Sequence, residues 1–117
     1  MHSESVELLR QLISTPSFSK EESGTAYIIY NYLVSKGLKP NRHFNNIWIE
    51  HHGNIPNRPT VLLNSHHDTV KPSAGWVYNP FTPTIIDGKL IGLGSNDAGA
   101  SLVSLLAVFL ILNQKEL

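Results

Sequence analysis

An α/β fold with a mixed sheet is the class this sequence predicts, and three features predict it. Two amphipathic helical patterns open the chain, and short β-branched runs with an Asp-Gly hairpin signal follow. A strongly apolar helical run closes it. The 117 residues are one domain's worth of chain. Nine Lys+Arg balance nine Asp+Glu, which argues against a nucleic-acid arm or a polybasic membrane anchor. There is no cysteine, so thiolate metal sites, disulfides and a cysteine nucleophile are excluded, and any metal must be held by nitrogen and oxygen.

The first helix is predicted from Glu4 to Ser14. Val6, Leu8, Leu9, Leu12 and Ile13 recur with a 3.6-residue period, and Thr15-Pro16 stops it. A second is predicted to start at Ser19, where Ser19-Lys20-Glu21-Glu22 reads as a capping box. Ala26, Ile29, Tyr30 and Leu33 form its buried face, and Gly37 ends it. Asn46–Glu50 reads as a strand. Thr60–Asn64, a short apolar run after Pro59, reads as a strand covered on both faces. Ser65–Pro83 is a loop. Thr84–Ile86 and Lys89–Ile91 flank Asp87-Gly88 as a hairpin.

Ala98–Leu112 is apolar all round, as a helix buried on every side would be. At fifteen residues it is shorter than the ~20 that a membrane span needs. Two helices and a small sheet are too little to cover it. With charged residues at only 15% against the ~25% of typical domains, the chain reads as one with unusually little free surface or as one piece of something larger. Self-association is therefore expected, a homodimer being one form of it. No secretory signal opens the sequence, so the cytoplasm is the expected compartment, and neither nucleic acid nor membrane is an expected partner.

Two constellations carry chemistry. In Asn64-Ser65-His66-His67-Asp68-Thr69-Val70, His66 and Asp68 point to the same side while the backbone stays extended. An imidazole backed by a carboxylate suits a metal ligand whose tautomer the carboxylate fixes. An ordinary surface loop containing His and Asp is the alternative. His67 points the other way and reads as a packing or surface residue. In Gly92-Leu93-Gly94-Ser95-Asn96-Asp97-Ala98-Gly99-Ala100, Ala100 stands where a phosphate-binding loop needs lysine. Asp97 stands where a dinucleotide fingerprint needs its third glycine, so nucleotide binding is disfavoured. Asp97 is then either a helix cap or a metal ligand.

His66-x-Asp68-Thr69-Val70, followed by Trp76, Pro80-Phe81, Pro83, Asp87-Gly88, Leu90, Gly92, Gly94 and Asp97, resembles the front part of the two-zinc amidohydrolases. That family includes acetylornithine deacetylase, succinyl-diaminopimelate desuccinylase and glutamate carboxypeptidase. Leu93 and Ala98-Gly99-Ala100 depart from its usual Arg and Met-Lys-Gly. The resemblance implies a zinc-peptidase-like catalytic domain, truncated here after its third helix and without a lid or dimerisation domain. It implies His66 as a ligand of one zinc, Asp97 as the ligand bridging two, and Asp68 as the active-site carboxylate behind His66, with cobalt as a substitute metal. It also implies a cis Asp97–Ala98 peptide. Thr69-Val70-Lys71-Pro72 and residues 92–99 look most like the acetylornithine deacetylase branch, implying an N-acyl amino acid substrate and a place in arginine biosynthesis. A desuccinylase, a carboxypeptidase or a non-catalytic α/β module are the alternatives. The family's general base and remaining ligands lie downstream of Asp97, where this sequence has a single carboxylate, Glu116. The chain alone is therefore expected to be inactive.

Overall fold

The structure, a computed structural model, describes residues 2–115; Glu116 lies outside them. Three helices, α1 (His2–Ser14), α2 (Ser23–Ser35) and α3 (Ala100–Asn113), accompany two antiparallel ribbons, β1–β2 (Asn41–His43, Asn46–Trp48) and β3–β4 (Thr84–Ile86, Lys89–Ile91). The α/β class is borne out. The sheet is divided, however, and the parallel component of a mixed sheet is confined to one bridge between Phe18 and Thr69.

The core lies between the helices. Leu8, Leu9, Leu12 and Ile13 of α1 pack with Ile29 and Leu33 of α2 and Val103 of α3. Each such side chain contributes ~1.5–3 kcal/mol when fully buried. Gly37 has φ +78°, the left-handed stop that a helix C-terminus favours. Asp87 and Gly88 have φ +51° and +73°, the type I′ turn that matches the twist of two strands.

Two expectations need correction. Helix α2 starts at Ser23 rather than Ser19, because Lys20 adopts φ +72°, which no helix accommodates. Glu22 therefore bonds back into that turn, accepting from the Lys20 N–H at 2.6 Å, instead of closing a capping box. Thr60–Asn64 is extended but forms no strand, for a strand exists only where a neighbour completes its hydrogen bonds, and none of the described residues pairs with it. Val61 and Leu62 are 78% and 83% exposed. Helix α3 is left part-covered, as expected of two helices and a small sheet: it rests mainly on α1, so Val103 and Leu110 are buried while Val108, Ile111 and Leu112 face outward. Strand β1, Asn41-Arg42-His43, was not anticipated, since three polar residues carry no alternation.

With the segment Ser95–Gly99 that precedes it, α3 makes a run long and apolar enough by length and composition to cross a membrane, mean hydropathy 1.7. Asp97 and Ala98 have non-helical backbone angles and divide that run. The 14 continuous residues of α3 reach only ~21 Å, short of a ~30 Å hydrocarbon layer.

Two outcomes follow from this architecture. The exposed Val61-Leu62 pair and outer face of α3 should make the chain associate as its concentration rises; sedimentation velocity should show the effect weakened in V61K/L62K. The Lys36 ammonium donates to Glu4 at 2.7 Å, tying α1 to α2; this hydrogen bond, with the ammonium's charge, holds the Glu4 carboxyl below its ordinary range and pushes Lys36 up. The lowered carboxyl contributes stability above the ordinary carboxylate range, lost as acid takes the pH down through it. The raised lysine contributes below the ordinary lysine range, lost as the pH rises through it. Urea denaturation of wild type and Glu4→Gln should therefore differ slightly at neutral pH and converge in strong acid.

Candidate functional site

Helix α1 ends at Ser14, and Thr15-Pro16 deliver Ser17, which is 3% exposed, to the edge of the core. From there Ser17 grips the His66–Thr69 segment twice. Its carbonyl accepts the Thr69 N–H at 2.8 Å and its hydroxyl donates to the His67 carbonyl at 2.9 Å. The alternation of an extended backbone then sends His67 inward and His66 and Asp68 to the opposite side.

His67 is half-buried, with one ring nitrogen 2.7 Å from Thr25 Oγ1 and the other 2.8 Å from the Asn45 carbonyl. Nothing about it is available to a metal. Asn45 in turn donates its amide to Glu22 at 3.0 Å. Burial pushes the Glu22 carboxyl up, but hydrogen bonds from the Lys20 N–H and the Asn45 amide outweigh that and hold it below the ordinary range.

On the open side, His66 Nδ1 lies 3.1 Å from Asp68 Oδ1 and 3.2 Å from the Asp68 carbonyl. Both partners only accept, so Nδ1 carries the proton and donates. The lone pair then sits on Nε2, which is 3.1 Å from Asp97 Oδ1. Two acceptor atoms at that distance need a proton or a cation between them. Bonds of ~2.0–2.2 Å to one zinc at a tetrahedral angle place their donors ~3.3 Å apart, so this nitrogen and oxygen need move little to share an ion. The three side chains are 52%, 39% and 88% exposed for His66, Asp68 and Asp97, so the site opens to solvent. Beneath it, a cavity of about 20 Å³ beside Thr69 has room for about one water. Anything that reaches these three side chains must therefore approach from the open side.

Asp97 reaches His66 across 31 positions of sequence because the β3–β4 ribbon doubles the chain back. The turn after it is set by glycines. Gly94 has φ +76° and lies against the Thr69 methyl, and the Gly99 N–H donates to the Gly94 carbonyl at 2.9 Å. The Asp97–Ala98 peptide is cis. Asp97 makes no side-chain cap to α3, whose N-cap is Gly99, so the helix-cap reading of this aspartate fails. Among the described residues no third His, Asp or Glu joins to make a metal-holding group. The inward anchors Ser17, Thr25 and Asn45 were missed in the sequence. A small polar residue on the buried face of α2, as Thr25 is, was the one signal available.

Residues 62–117 match peptidase family M20/M25/M40. Over 112 residues the chain is 31% identical to a succinyl-diaminopimelate desuccinylase of Delftia acidovorans, an alignment covering 87% of this chain and 29% of that protein. It is 32% identical over 109 residues to the Coxiella burnetii protein of the same name, covering 88% of this chain and 28% of the relative. The chain thus spans under a third of the length of these curated relatives.

The glycine turn gives a direct test of how Asp97 is placed. A Cβ on Gly99 would meet the Gly94 carbonyl oxygen at 2.6 Å and Leu9 Cδ1 at 2.5 Å, and the oxygen is backbone that cannot swing aside. Gly99→Ala should cost ~1–3 kcal/mol in urea denaturation. It should also separate His66 from Asp97, seen as loss of NOEs between the two side chains.

Proposed function

Because the chain belongs to peptidase family M20/M25/M40, we propose that it supplies the His66, Asp68 and Asp97 corner of a two-metal amidohydrolase. The 3.1 Å approach of His66 Nε2 to Asp97 Oδ1 carries this reading. It joins a lone pair and a carboxylate that only a shared proton or cation reconciles, at the end of a segment whose backbone is fixed. Members of the family are generally metal-dependent, which agrees with that donor set.

In this reading His66 and Asp97 would hold the metal, zinc or in its place cobalt. Asp68 fixes the His66 tautomer by accepting from Nδ1, which keeps Nε2 a ligand and makes it more basic. When bound, such a metal pair lowers the pKa of a water and polarises the scissile carbonyl. The substrate class is the N-acyl amide of an amino acid, hydrolysed to a carboxylate and an amine. The pattern of residues 69–72 and 92–99 favours acetylornithine, whereas the curated relatives are named for a succinylated substrate.

Two protein donors make a weak zinc site, since three or four are usual. The family's general base lies downstream of Asp97, and residues 98–115 contain no carboxylate. The 117-residue chain should therefore bind zinc weakly and turn over neither N-acetylornithine nor N-succinyl-diaminopimelate. Calorimetry should show the weak binding abolished in His66→Ala and in Asp97→Asn. A longer protein carrying this segment should hydrolyse one of the two amides in a metal-dependent way. Zinc binding that survives both substitutions would place the metal elsewhere and sink the proposal.

A further inference from the structure

The segment that carries His66 and Asp68 is held by a second set of residues that the reaction does not use, and that set closes on itself. His67 Nε2 faces the Asn45 carbonyl at 2.8 Å, and the Asn45 amide donates to Glu22 Oε2 at 3.0 Å. Thr25 Oγ1 lies 2.7 Å from His67 Nδ1 and 3.2 Å from the Glu22 carbonyl. The circuit joins the start of α2, the β1–β2 turn and the site segment. Thr25, 1% exposed, sits at its most buried point.

The chemistry of the partners fixes the protons. A carbonyl accepts only, so the Asn45 oxygen requires Nε2–H on His67. The Thr25 hydroxyl has one proton for two acceptors, Nδ1 of the neutral ring at 2.7 Å and the Glu22 carbonyl at 3.2 Å, and the shorter contact takes it. His66 has the opposite pattern, its Nδ1 carrying the proton for Asp68. Two adjacent histidines are thus locked in opposite tautomers by partners on opposite sides of one extended segment.

We propose that His67 is a positioning residue: its two ring hydrogen bonds, to Thr25 and Asn45, set the rotation of the segment and thereby hold the His66 ring with Nε2 facing Asp97. This rests on the metal-centre reading above only for its purpose, not for its geometry. An apolar side chain at position 67 fills the space but frees the segment to twist about the Ser17 bonds, so the His66 ring loses its fixed relation to Asp68. A glutamine supplies one N–H for the Asn45 carbonyl and one oxygen for the Thr25 hydroxyl, so it preserves the lock.

Long-range imidazole 1H–15N spectra of the metal-free chain test this directly. The wild type should show His67 as the Nε2–H tautomer and His66 with a fixed proton on Nδ1. His67→Phe should leave far-UV circular dichroism intact while His66 goes over to a tautomer mixture, and zinc affinity should fall about tenfold, in line with losses on removing the supports of a metal ligand. His67→Gln should restore both. Thr25→Val, which keeps the volume and removes the hydroxyl, provides a second variant if His67→Phe fails to fold. It should shift the His67 Nδ1 resonance and loosen the His66 tautomer. A wild-type His67 found as Nδ1–H overturns the proposal. So does a folded His67→Phe, or Thr25→Val in its place, with unchanged His66 signals. If the wild type binds no zinc yet the His66 tautomer still follows residue 67, the positioning role stands and the metal reading falls.

Discussion

Ser17 is the residue on which the rest of the site depends. An extended segment with no strand beside it has nothing intrinsic to hold its rotation, and Thr60–Asn64 just upstream is left exposed for that reason. From Ser65 onward the chain is disciplined because Ser17 offers both an acceptor and a donor within 2.9 Å of its backbone. Ser17 can do this because Thr15-Pro16 ends α1 abruptly at the border of the core, and the Phe18–Thr69 bridge continues the contact in parallel fashion. Each hydrogen bond contributes only ~0.5–1.5 kcal/mol to stability. Their importance here is directional, since they decide which faces of residues 66–68 meet the core and which meet solvent.

The other half of the site is referenced to the same helix. A Cβ on Gly92 would collide with Ile13, and one on Gly99 with Leu9, so both ends of the glycine-rich turn rest directly on α1. Gly94 contacts the Thr69 methyl and closes the gap between the two segments. His66 and Asp97 thus meet because each is measured from α1, one through Ser17 and the other through glycines. The absence of side chains at positions 92, 94 and 99 carries as much structural information as the presence of the ligands.

Where the sequence was legible, local physics decides the outcome. The α1 stripe, the Asp87-Gly88 turn and the Gly37 stop each depend on residues within one turn of themselves. The site pair His66–Asp68 was legible through the two-residue period of extended chain, and Asp97 through the resemblance that joined it to them. What was not legible depends on distant partners. Thr60–Asn64 has a strand's composition but no neighbour among the described residues, and α3 has a core helix's composition but cover on one side. The start of α2 was misplaced because Lys20 in a left-handed conformation lets Glu22 bond within the turn, a competition that composition does not rank. His67 was read as packing from alternation, while its partners at positions 25 and 45 carry no signature of their own.

The relation between this site and the fold's stability runs one way. The hydrophobic core of α1, α2 and Val103 contains none of His66, Asp68 and Asp97, and Asp97 is 88% exposed. Leaving its charge without a cation therefore costs little, because water screens it. Small metal domains whose ligands form the core have no fold without the ion. Here the backbone of the site is already set by Ser17, His67 and the glycines, so on the proposed reading a cation would find His66 and Asp97 in place. Ordering that the core and the hydrogen-bonded segment have already supplied need not be drawn from the energy of binding the metal.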